Sequence, residues 1–104
     1  NSSNQPVVIA KFYKEDKIGV WTYFYYEQNV KIEYSYVDNE IVNEIYLTLN
    51  DDRFSGVFIF EDEENEIKEI RKIKNGLRNG NTVYIDKLKN KPFKKVKYKN
   101  GEIK

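Results

Sequence analysis

Apolar and polar positions alternate with a period of two along most of this chain. Trp21, Tyr23 and Tyr25 alternate with Val20, Thr22, Phe24 and Tyr26, and Ile32, Tyr34 and Tyr36 alternate with Lys31, Glu33 and Ser35. Ile45, Leu47 and Leu49 alternate with Glu44, Tyr46 and Thr48, and Val96 and Tyr98 with Lys95, Lys97 and Lys99. β-Branched and aromatic residues fill these runs, and no apolar stripe of helical period lasts a dozen residues. Between Glu61 and Lys74, Ile67, Ile70 and Ile73 recur three apart. Strand is the expectation there, with helix as the alternative.

Turn signals interrupt the runs at short spacing. They include Glu27-Gln28-Asn29, Asp38-Asn39-Glu40, Asn75-Gly76, Asn79-Gly80, Lys89-Asn90-Lys91-Pro92 and Asn100-Gly101. Asn-Gly favours a tight turn because both residues tolerate positive φ. Asn50 to Arg53 fits a four-residue hairpin loop between Ile45–Leu49 and Phe54–Phe60. The pattern predicts an all-β fold: an antiparallel meander of about eight strands built from β-hairpins, as a single-layer or curled sheet. Residues 7–104 are expected to form one domain behind a short polar leader, residues 1–6.

Composition narrows the chemistry. The 104 residues hold nine Tyr, six Phe and one Trp but no Cys, His or Met. Disulfides, thiolate or imidazole metal sites, and Ser-His-Asp or Cys-His catalysis are thereby removed. So many aromatics also argue against disorder. Lys exceeds Arg 15 to 3, Asn occurs 12 times and Ala once, a bias that points to an AT-rich, bacterial genome. The Asn at position 1 and the polar stretch behind it favour export or surface tethering slightly over a cytoplasmic location.

The net charge of +1 conceals a division along the chain. Residues 1–66 carry 5 basic and 14 acidic side chains, whereas residues 67–104 carry 13 basic and 3 acidic. Lys95, Lys97 and Lys99 share one face of a predicted strand, with Lys87, Lys89, Lys91, Arg71, Lys72 and Arg78 close in sequence. They suit an acidic protein or an anionic surface, or guard a strand edge. Nucleic acid is the weaker reading, because Lys lacks the guanidinium fork for bidentate contacts. The run Glu61-Asp62-Glu63-Glu64-Asn65-Glu66 lacks EF-hand spacing and reads as a charged turn rather than a calcium loop.

The chain also repeats. Gly19-Val20-Trp21-Thr22-Tyr23 and Gly56-Val57-Phe58-Ile59-Phe60 share the form Gly-x-aromatic-x-aromatic. Gly80-Asn81-Thr82-Val83-Tyr84 keeps the glycine and the last aromatic, and Asn43-Glu44-Ile45-Tyr46-Leu47 is a degenerate copy with Asn for Gly. Lys74-Asn75-Gly76 recurs as Lys99-Asn100-Gly101. In these features the chain resembles the bacterial variant of the MORN repeat. The best copy runs from Tyr13 to Tyr36, with Gly19, Trp21, Tyr23, Tyr25 and Tyr26 on the pattern. The copy from Asn75 to Tyr98 matches at Gly76, Gly80, Tyr84 and Tyr98 but has Thr82 where Trp or Phe belongs. The resemblance implies a hairpin-repeat scaffold that binds other proteins, without catalysis. It also makes Gly19, Gly56, Gly76, Gly80 and Gly101 structural positions of the repeat.

The expected function is therefore a non-catalytic protein–protein interaction module, part of an exported or surface-tethered bacterial protein. Trp21, Tyr23 and Tyr25, with Lys95, Lys97 and Lys99, are the expected partner surface, since Tyr and Trp are enriched at interfaces. Catalytic, cofactor and metal residues are not expected. Two alternatives stand: an antitoxin or immunity protein for a cognate toxin, and a binder of anionic surfaces through the basic C-terminal third. Self-association through terminal strands is a further expectation.

Overall fold

The computed structural model describes Val7–Ile9, Phe12–Tyr13 and residues 16–104; the predicted polar leader, residues 1–6, lies outside the described residues. The fold is all-β and antiparallel. Its strands are β1 (Val7–Ile9), β2 (Phe12–Tyr13), β3 (Asp16–Lys17), β4 (Gly19–Tyr25), β5 (Val30–Val37), β6 (Glu40–Thr48), β7 (Gly56–Asp62), β8 (Ile67–Lys74), β9 (Leu77–Arg78), β10 (Gly80–Asp86), β11 (Lys91–Lys99) and β12 (Glu102–Ile103). A 3-10 turn, Tyr26–Gln28, joins β4 to β5. The segments outnumber the expected strands because β2, β3, β9 and β12 have two residues each, too short for alternation to reveal. The stretch from Glu61 to Lys74 is the end of β7, a turn and β8, which settles strand over helix.

The chain divides into two units, Asn1–Phe54 and Ser55–Lys104. In the first, the strand order is β1-β4-β5-β6, and β2 pairs β3 separately. In the second, the order is β12-β11-β10-β8-β7, with β9 pairing β8. Each sheet is a run of hairpins closed by two kinds of turn. Tight turns at Asp38-Asn39 (φ 50° and 69°), Asn75-Gly76 (51° and 81°) and Asn100-Gly101 (51° and 87°) place two residues at positive φ. That is the type I′ requirement, and it matches the right-handed twist of the flanking strands. The longer loops each end on a left-handed residue: Asn29 (57°), Glu66 (54°) and Asn90 (54°). Gly19, Gly56, Gly76, Gly80 and Gly101 all have positive φ.

Two details depart from the expected register. Asn43 opens no strand; it pairs Ser35 inside β6, next to a bulge at Val42. Nor does Asn50–Arg53 join two long strands. Thr48 closes this turn, its N–H donating to the Asp52 carbonyl at 2.7 Å and its Oγ1 accepting from the Asn50 and Asp52 amides. The returning chain bridges Leu47 to Arg53, and the Phe54 N–H donates to the Tyr46 carbonyl. β7 then begins at Gly56 and pairs β8 instead. An alternating pattern specifies which side chains share a face, but not which strand lies alongside.

One face of each sheet carries most of the buried side chains. In the first unit these are Trp21, Val30, Ile32, Tyr36 and Tyr46, brought into rows by the pairs Tyr23–Ile32 and Ile32–Tyr46, while Leu47, paired with Lys31, is buried on the opposite face. In the second they are Phe58, Ile73, Arg71 and Thr82. Ile32, Tyr46 and Phe58 are fully enclosed, and side chains of this size contribute about 1.5–3 kcal/mol each on burial.

Candidate functional site

Because side chains alternate across a strand, the register of the second unit assigns every residue to a face. Phe58, Phe60, Glu69, Arg71, Ile73, Thr82, Tyr84, Val96 and Tyr98 share the enclosed face. The opposite face has a different character. Lys95 pairs Val83, Val83 pairs Ile70 and Ile70 pairs Ile59, giving one continuous row. Alongside run Lys97–Asn81 and Lys72–Val57, and on the other flank Ile85–Lys68–Glu61. Five β-branched aliphatic side chains (Val57, Ile59, Ile70, Val83 and Ile85) thus form a stripe bordered by Lys68, Lys72, Lys95 and Lys97. Val57 is 54% exposed and Ile59 38%.

The three predicted lysines of β11 are exposed and share this face. Arg71 and Arg78, grouped with them by sequence, do not join them. Arg71 is buried, its Nε donating to Glu69 Oε1 at 3.0 Å and its guanidinium lying 4.6 Å from the Phe60 ring centre. Arg78 lies 5.0 Å from the Tyr98 ring and donates to its hydroxyl at 3.2 Å. Lys87 is drawn into the acidic run, donating to Glu61 at 2.8 Å and Glu63 at 3.2 Å. These carboxylates raise its pKa, Glu61 above all. Asp62 accepts from the side chain and the backbone amide of Asn65, which lowers its pKa. The run is a charged turn tied to a lysine and an asparagine. Among the described residues, no three His, Cys, Asp or Glu side chains gather as a metal site requires.

The predicted aromatics belong to the first unit and occupy its enclosed face. Trp21 is only 6% exposed, and Tyr23 and Tyr25 are half-buried. Trp21, Tyr23, Tyr34 and Tyr36 form a closed ring of contacts: Trp21–Tyr36 5.4 Å, Tyr23–Tyr34 5.3 Å, and Trp21–Tyr23 and Tyr34–Tyr36 6.4 Å. Lys17 Nζ covers it, 4.8 Å from the Trp21 ring and 5.1 Å from Tyr36. Desolvation pushes the Tyr23 pKa upward, and a hydrogen bond with Tyr36 adds to the effect. Such rings contribute packing energy through edge and offset contacts. Trp21 is thus enclosed, whereas the exposed large apolar side chains are mostly aliphatic, with Tyr26 and Phe93 the aromatics among them. Sequence reasoning passed over Val57, Ile59, Ile70, Val83 and Ile85, although each alternates with an aromatic or charged residue and so had to face the other way.

No known family, curated protein or solved structure matches the chain. The resemblance to the MORN variant therefore rests on the chain's own residues and spacing. In the structure, type I′ turns at 38–39, 75–76 and 100–101 each follow a longer loop ending on a left-handed residue.

Proposed function

We propose that this chain is a non-catalytic protein-binding module of MORN-like hairpin repeats. The supporting observation is the aliphatic stripe on one sheet face, with Val57 and Ile59 exposed and Ile70, Val83 and Ile85 half-buried, bordered by four lysines. An apolar strip rimmed by charge has the composition of a protein interface, with an apolar centre to desolvate and a polar border to orient the partner.

The test is affinity capture from envelope and soluble fractions of the source cells, at low salt and at about 0.5 M salt, where surface charge is screened. A partner retained at high salt and lost with Ile59→Glu supports the module. Retention of anionic material alone, released by salt, would overturn it in favour of the second reading. In that reading Lys95, Lys97 and Lys99 bind an anionic surface, and their shared exposure on one face is what favours it.

A further inference from the structure

Building on that reading, we propose that the lysine-bordered stripe docks a second copy of this chain, through the first-unit face that carries Glu33 and Glu40. Register assigns that face as it does in the second unit. Val20 pairs Ser35 and Ser35 pairs Asn43, giving one row across β4, β5 and β6. Thr22–Glu33–Ile45 lies on one side of this row, with Phe24 beyond it, and Val37–Glu40 lies on the other. Val20 is 47% exposed and Val37 56%, while Phe24 and Ile45 are half-buried. Here, too, apolar side chains meet solvent beside charge, but the charge is acidic.

The two faces match in sign and in spacing. Lys68 and Lys72 flank Ile70 on β8, four residues and hence about 13 Å apart along the strand. Glu33 stands four residues from Val37, whose cross-strand partner is Glu40, so the two glutamates are about 14 Å apart. An aliphatic position separates the charges in each case, Ile70 between the lysines and Val20 in the row between the glutamates. Neighbouring charges are already engaged, Lys31 by Asp51 and Glu61 by Lys87. Among the described residues, Glu33, Glu40, Lys68 and Lys72 form no ion pair.

Two such faces can lie about 10 Å apart, as the sheets of a sandwich do. Lysines then meet carboxylates while the aliphatic side chains between them leave water, an apolar centre within a charged border. Like faces are disfavoured, since two lysine faces or two glutamate faces bring equal charges together. The net charge of +1 leaves little overall repulsion between copies. The contact is heterologous. Docking in both directions closes a two-fold pair, and docking in one direction leaves a face at each end and extends into a chain.

Sedimentation velocity of the full chain at low salt, from about 10 μM to about 1 mM, tests this across the range of weak contacts. Association that rises with concentration is expected, weakened about tenfold or more by Lys68→Glu/Lys72→Glu and likewise by Glu33→Lys/Glu40→Lys. Mixing the two variants should restore it, because each retains the face that the other has lost. Glu40→Lys alone, at an exposed position, replaces the glutamate pair if circular dichroism shows that variant unfolded. A chain that stays monomeric overturns the proposal. So does association that ignores either pair of substitutions, or that mixing does not recover. A monomeric chain that still captures a partner through Ile59 overturns self-docking alone. A monomeric chain that captures nothing overturns the binding-module reading as well.

Discussion

Lys17 and Asn39 exchange two hydrogen bonds: the Lys17 N–H donates to Asn39 Oδ1 at 2.7 Å, and the Asn39 N–H donates to the Lys17 carbonyl at 3.3 Å. A residue of a type I′ turn thereby holds the backbone of the lysine that lies over Trp21 and Tyr36. Comparable clasps recur in the second unit, where the Asn75 amide donates to Ser55 Oγ and the Asn100 amide to Asn79 Oδ1.

Asn39→Gly keeps the positive φ and removes the side-chain clasp. It is expected to cost about 0.5–1.5 kcal/mol, the range for one intramolecular hydrogen bond. Trp21 is the chain's single tryptophan, so urea unfolding followed by its emission measures the loss. A red shift in the native spectrum should accompany it as Lys17 leaves the ring.

Thr82 is 1% exposed, and its Oγ1 has no hydrogen-bond partner. It occupies the repeat position held by Trp21 and Phe58 in the other copies. Thr82→Val keeps the β-branched shape and removes the stranded hydroxyl, and should stabilise the chain by about 1 kcal/mol. Thr82→Trp, despite restoring the repeat pattern, should destabilise by about 1–3 kcal/mol through overpacking. Thermal unfolding of the two variants distinguishes stabilisation from overpacking.

Glu66 adopts the left-handed conformation that Asn29 and Asn90 adopt at the ends of the corresponding loops. Asn tolerates this region far better than Glu. Glu66→Asn should therefore stabilise by about 0.5–1 kcal/mol, measurable by chemical denaturation.

Tyr23 gives the chain an alkaline limit. Burial, with the Tyr36 hydrogen bond and the nearby Tyr36 and Tyr34 hydroxyls, raises its pKa above the ordinary 10.0. The folded state thus holds this proton more tightly than the unfolded chain. The stabilisation is complete below the ordinary tyrosine pKa and is lost as pH rises from there through the folded value. Tyr23→Phe should flatten the fall in melting temperature above pH 10, an effect visible in a pH series of thermal melts.

Much of this architecture was legible in the chain. The alternation around Trp21, Ile32 and Val96 gave the strands, and Asn75-Gly76 and Asn100-Gly101 gave the turns, because both signals are local. Neighbours were harder. The bulge at Val42 and the departure of the chain after Arg53 depend on pairing between strands, which a local pattern does not encode. The expected surface was harder still. Tyr and Trp are as suited to a core as to an interface, and only register shows that Trp21 is covered while Val57 is open. Arg71 illustrates the same difficulty: close to lysines in sequence, it lies on the opposite face, between Glu69 and the phenylalanine rings.

Pairing in the second unit joins only strands that lie close in the chain: β7 with β8, β8 with β9 and β10, β10 with β11, and β11 with β12. A strand emerging from the ribosome therefore finds its partner already synthesised, and no early segment has to wait exposed for a distant one. Short-range pairing of this kind favours rapid, vectorial folding during synthesis. It also lets a duplicated hairpin be accepted at the growing end without rearranging what precedes it.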